Sequence, residues 1–64
     1  MDIITTVKWV NGNDSANDCI IRYCKENNID FRYNHYFNLE IFMRGEWKGT
    51  DYKCNGEDMQ ILIK

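Results

Sequence analysis

Four side chains in this 64-residue sequence combine reactivity with scarcity: Cys19, Cys24, Cys54 and the single histidine, His35. Together they could in principle supply the Cys₃His set of a zinc site. Their spacing matches no zinc module, however. Cys19 and Cys24 are five residues apart, about 140° around a helix axis, so they neither converge on one ion nor bridge to each other. Three cysteines, an odd number, do not make a disulfide framework either. The expectation is buried structural thiols, no metal and no cofactor. His35 has no Ser or Cys set beside it, and general-base chemistry needs that geometry. The acidic residues are scattered through loops and a helix start, where capping and solubility explain them. No catalytic constellation emerges, and the chain reads as a non-enzyme.

The densest functional-group cluster is aromatic: Phe31, Arg32, Tyr33, His35, Tyr36 and Phe37, followed by Phe42 and Trp47. Such residues fill sheet cores. They also form the hot spots of protein interfaces, where Tyr, Trp and Arg are enriched. Single-stranded nucleic acid binders interleave them with basic residues. Here only Arg32, with Lys8 and Arg44, could meet phosphates, and the net charge is −2. Nucleic acid is therefore a subordinate reading. The candidate partner-binding residues are Tyr33, His35, Phe37, Phe42 and Trp47.

The elements that must position them follow from periodicity. Residues 2–10 alternate as a strand, with Ile3, Thr5, Val7 and Trp9 on one face and Ile4, Thr6, Lys8 and Val10 on the other. Apolar residues on both faces predict a central strand. Residues 11–13 read as a loop. Ala16, Ile20, Tyr23, Cys24 and Asn27 recur at helical spacing. Asn13, Asp14 and Ser15 are all suitable N-caps. Asn27-Asn28 supplies the stop, because Asn tolerates a left-handed cap. A strand beginning at Ile29 and running to residue 38 would set Phe31, Tyr33, His35 and Phe37 on one face. Residues 39–44 read as a third strand with Leu39, Ile41 and Met43 inward. Gly45-Glu46 reads as a turn, and residues 47–54 as a strand interrupted at Gly49. Asn55-Gly56 signals a type I′ hairpin, returning as a strand at residues 59–64. The expected fold is α/β or α+β, two layers, one helix on a small mixed sheet, in the order βαβββ. Its first strand, helix and second strand would form a right-handed parallel βαβ unit.

That order of elements, together with residues 23–33 (YCKENNIDFRY) and 41–52 (IFMRGEWKGTDY), resembles a shortened glutaredoxin of the thioredoxin-like class. The first segment is similar to the family's first-helix end, turn and second strand. The second is similar to its later hairpin, with Gly45 and Gly49 at the family spacing. The resemblance implies a thiol redox protein with a C-terminal helix. The family's Cys-Pro-Tyr-Cys motif would fall on about residues 14–17, where no cysteine stands. Its cis-proline would fall near Leu39, and the chain has no proline. The thiol chemistry is therefore not expected to carry over.

Residues 1–64 are read as one domain, and a chain this short buries only about 60% of the surface its unfolded form exposes. Nine aromatics and eight isoleucines offset that. No apolar run approaches the roughly 20 residues that span a bilayer. The opening residues do not read as a signal peptide, and free thiols suit a reducing cytoplasm. Abundant Asn, Ile, Lys and Tyr is the usage of an AT-rich genome, such as that of a phage or virus. The expected function is a small non-catalytic regulator or inhibitor that binds another protein, or a second copy of itself, through an aromatic sheet face. The alternatives are a glutaredoxin-like redox protein and a single-stranded nucleic acid binder.

Overall fold

The computed structural model describes residues 2–9 and 15–64. Val10, the expected loop at residues 11–13 and the candidate caps Asn13 and Asp14 lie outside the described residues. The helix α1 runs Ala16–Glu26. Ser15 caps it, its hydroxyl accepting from the Asp18 N–H at 3.1 Å. At the other end Asn28 takes φ 56°, the left-handed conformation that stops the helix. The Ile29 N–H then donates back to the Cys24 carbonyl at 2.9 Å, as in a Schellman cap. Ile29 packs against the core beside buried Cys24, which supplies the apolar contact that accompanies such caps.

The described residues also form five strands: β1 (Asp2–Lys8), β2 (Phe31–Tyr33), β3 (Leu39–Met43), β4 (Glu46–Asn55) and β5 (Asp58–Ile63). They form one sheet in the order β1-β5-β4-β3-β2, and every neighbouring pair is antiparallel. The architecture is therefore mostly β, in the order βαββββ. The expected mixed sheet and parallel βαβ pair are wrong. β1 and β2 do flank the helix in sequence, but they sit at opposite edges of the sheet with three strands between them. An 11-residue helix is about 16 Å long and four strand spacings span about 19 Å. The helix is thus nearly as long as the sheet is wide.

β1 is an edge strand and not a central one. Its apolar residues on both faces have another cause. The ladder to β5 pairs Ile3 with Leu62 and Thr5 with Ile61, so Ile4 is an extra, bulged residue. The bulge turns Ile4 into the core with Val7 and Trp9, and leaves Ile3 56% exposed on the opposite face. The core lies between the helix and one sheet face: Cys19, Ile20 and Cys24 against Leu39, Ile41, Met59, Ile61 and Ile63. Residues 58–63 are strand, where the glutaredoxin resemblance implied a helix.

β4 serves two ladders in succession. Glu46 to Gly49 pair with β3, and Thr50 to Asn55 pair with β5. At the junction the Lys64 N–H donates to the Gly49 carbonyl and the Thr50 hydroxyl to the Leu39 carbonyl, both at 2.9 Å. Gly49 therefore lies inside a continuous strand and does not interrupt it.

Both tight turns sit one residue away from the expected pair. Met43 pairs with Glu46, so the turn residues are Arg44 (φ 55°) and Gly45 (φ 80°), the double positive φ of a type I′ turn. Asn55 pairs with Asp58, so the second turn is Gly56-Glu57. Only Gly56, at φ 65°, is left-handed there, the pattern of type II′. Arg44 is thus a residue with a Cβ in a position that favours Asn or Gly. Arg44→Asn is expected to raise stability by about 0.5–1 kcal/mol, and Gly45→Ala to lower it by about 1 kcal/mol. Urea unfolding of the two variants beside the parent measures both.

Candidate interaction surface

No helix among the described residues is long and apolar enough to cross a membrane. With one helix on one sheet face, the other face has no cover among the described residues. Strand register decides what it displays. Arg32 opposes Glu40 across β2 and β3, and Phe42 opposes Trp47 across β3 and β4. These four alternate with buried Leu39 and Ile41, so they point away from the helix. They make one stacked cluster. The Phe42 ring meets Trp47 edge-on at 5.3 Å between centroids. The Arg32 guanidinium lies over the Trp47 ring at 4.2 Å. Arg32 Nε donates to Glu40 Oε1 at 2.8 Å, and Asn34 Nδ2 reaches Glu40 Oε2 at 3.4 Å. Trp47 is half-buried under this cover, while Phe42 stays 41% exposed. Ile3 and Leu62, paired across β1 and β5, add apolar area on the same face.

The five candidate residues therefore do not form one site. Phe42 and Trp47 are together on the helix-free face. Tyr33 pairs with buried Leu39, so it lies on the helix side at the β2 edge, half-exposed. His35 and Phe37 are not on a strand at all. β2 ends at Tyr33, and residues 34–38 form a loop built on Asn34. Its Oδ1 accepts from the Tyr36 N–H at 2.8 Å and the Asn38 N–H at 3.1 Å. Its backbone N–H donates to the Asn38 carbonyl, and its carbonyl accepts from the Phe37 N–H. A short polar side chain satisfying nearby backbone N–H groups competes directly with a strand ladder, which is why the aromatic alternation stops there. His35 stacks on Tyr36 at 4.2 Å, and both are exposed.

Glu40 and Arg32 were missed as a unit. The signal for the pair is a hairpin loop at residues 34–38, which sets Arg32 and Glu40 opposite each other.

The chemistry of reactive groups is sparse. Cys19 and Cys24 are buried on the inner side of the helix, and burial pushes the Cys24 thiol up. Cys54 departs from the expectation of buried thiols: it is exposed on β4. Among the described residues no group of three His, Cys, Asp or Glu stands close enough to hold a metal. A groove of about 300 Å³ opens between the helix, the 34–38 loop and β4, past Ile20, Phe37, Leu39 and Tyr52; neither His nor Cys lines it. A smaller hollow of about 220 Å³ lies between β1 and the helix, beside Val7, Cys19 and Tyr23.

No family model, curated protein or solved structure matches this chain. The glutaredoxin resemblance thus rests on residues 23–33 and 41–52 alone.

Two outcomes follow from these environments. A disulfide thiol reagent is expected to titrate Cys54 rapidly in the folded protein, and Cys19 and Cys24 only after denaturation. Fast modification of either helix cysteine would contradict their burial. The Arg32 hydrogen bond, then Asn34 and the nearby positive charge, holds the Glu40 carboxyl below its ordinary value. A lowered folded-state value stabilises the protein above the unfolded carboxylate range and is lost as pH falls through the folded value. Glu40→Gln should therefore flatten the loss of stability below about pH 4, read from urea midpoints across an acid series.

Proposed function

We propose that this chain is a non-catalytic protein-binding domain, a regulator or inhibitor of its target, whose contact surface is the helix-free sheet face centred on Arg32, Phe42 and Trp47. The observation that carries this reading is the stacked cluster itself. It sets a Trp, a Phe and an Arg together on a face that the rest of the described chain leaves open. Those are the side-chain types that dominate interface energetics. Ile3 and Leu62 extend the apolar area in the same plane. Three free thiols suit a reducing cytoplasm as the place of action. The partner is another protein, or a second copy of the chain.

Single-stranded nucleic acid would want a basic stripe beside the rings. Here Arg32 is tied to Glu40 by a charge-assisted bond, and Lys48 pairs with Glu46. A thiol redox role would need an accessible thiol with a partner; Cys54 is free and exposed, while Cys19 and Cys24 are free and buried.

The test separates binding from folding. The tagged domain captures its partner from cells, and the purified partner is then titrated against alanine variants whose thermal unfolding is measured on the same samples. Phe42→Ala and Trp47→Ala are each expected to weaken binding by about 2 kcal/mol or more. Both should unfold within a few degrees of the parent. A loss of folding stability of about 3–5 kcal/mol, with affinity unchanged in the folded fraction, would make these rings core and end the binding-face reading. Glutathione-coupled disulfide reduction that Cys54→Ser abolishes would replace it with the redox alternative.

A further inference from the structure

The 34–38 loop carries a feature that the sheet-face reading does not use. Phe37 sits at φ 62°, in the left-handed region that a residue with a bulky side chain adopts only under constraint. The two other non-glycine residues described at positive φ, Asn28 and Arg44, close a helix and a type I′ turn. The Asn34 hydrogen bonds impose the left-handed geometry at residue 37, and Asn or Gly would meet it with less strain. Yet the position holds a phenyl ring that is 84% exposed and takes no part in the core. Tyr36 beside it is 73% exposed. Within the isolated chain, Phe37 is disfavoured twice, by its backbone and by its solvation. Strained backbone of this kind clusters at functional sites.

Resting on the reading of the chain as a protein binder, we propose that the 34–38 loop is a second, preorganised contact element. It presents Phe37, flanked by Tyr36, to an apolar pocket of ring size on a partner protein. The loop's own hydrogen bonds fix the ring's position beforehand, which lowers the ordering cost of insertion. Charge argues for a protein pocket over a lipid surface. Residues 34–38 carry no Lys or Arg, the neighbouring Arg32 is neutralised by Glu40, and the chain is net −2. Interfacial membrane anchors pair their aromatics with cationic residues.

The test uses β-cyclodextrin, whose apolar cavity admits one aromatic ring, followed by NMR of assigned ring protons. Phe37 signals are expected to shift saturably while those of half-buried Phe31 stay fixed. Phe37→Asn should abolish that response and raise the melting temperature by about 2–4 °C, since it relieves the strain and removes no packing. Phe42→Ala should leave the Phe37 response unchanged, so failure of the sheet-face reading and failure of this one are distinguishable. Absence of a saturable shift, or a lower melting temperature for Phe37→Asn, would overturn the proposal. So would Phe37-dependent sedimentation with phosphatidylcholine/phosphatidylglycerol vesicles, which would assign the loop to lipid.

Discussion

A single helix of 11 residues has to seal a five-stranded sheet, and most of the architecture answers to that constraint. The helix can cover one face and only the middle of it. The fully buried side chains accordingly come from its inner surface, from β3 and from β5: Ile20 and Cys24, Ile41, Met59 and Ile61. β4, which lies between β3 and β5 in the sheet, contributes none of them. Its role is connective: it ends one ladder at Gly49 and begins the next at Thr50, holding both halves of the sheet under the same helix. Apolar burial at about 25 cal/mol per Å² is the main favourable term available to so small a domain, and it has to be concentrated where the helix reaches.

What the sequence disclosed was local. Asn27-Asn28 stops the helix because a short amide side chain tolerates the left-handed region, and Ile29 then folds back onto Cys24 as the cap requires. Leu39, Ile41 and Met43 alternate inward because one face of β3 is covered. It did not disclose that Phe42 opposes Trp47: a turn at Gly45-Glu46 would set Phe42 against Gly49, and the turn at Arg44-Gly45 shifts the register. What it hid was non-local or depended on an exception to alternation. No pattern within residues 2–33 says that three later strands will lie between β1 and β2. An alternating β1 conceals a bulge, because Ile3 and Ile4 are the same residue type and either could be the inward one. The Phe31-to-Phe37 run is rich in strand-favouring aromatics, and one amide, Asn34, overrides that preference by offering backbone groups a nearer acceptor. The candidate site split for that reason: two of its members rode on a strand that ends at Tyr33, five residues before the expected end at residue 38.

The helix-free face shows how such a chain keeps a half-buried surface tryptophan in water. Arg32 covers the Trp47 ring, and Glu40 fixes the guanidinium by a charge-assisted bond. Guanidinium is weakly hydrated for a cation and stacks well on aromatic faces, so little solvation is lost in placing it there. The arrangement also sets what a partner would encounter. If Arg32 stays, the partner meets a planar donor array backed by an indole, with Phe42 at its edge. If Arg32 is displaced, Glu40 loses its strongest hydrogen bond and the partner must supply a replacement donor, since a carboxylate taken out of water without one is costly. An apolar partner surface would therefore bind best beside the cluster, over Phe42 and toward Ile3 and Leu62, while one with its own carboxylate could compete with Glu40 for Arg32. On the proposed reading, the ion pair would make the face selective through polar geometry, where an uncovered ring would bind by area alone.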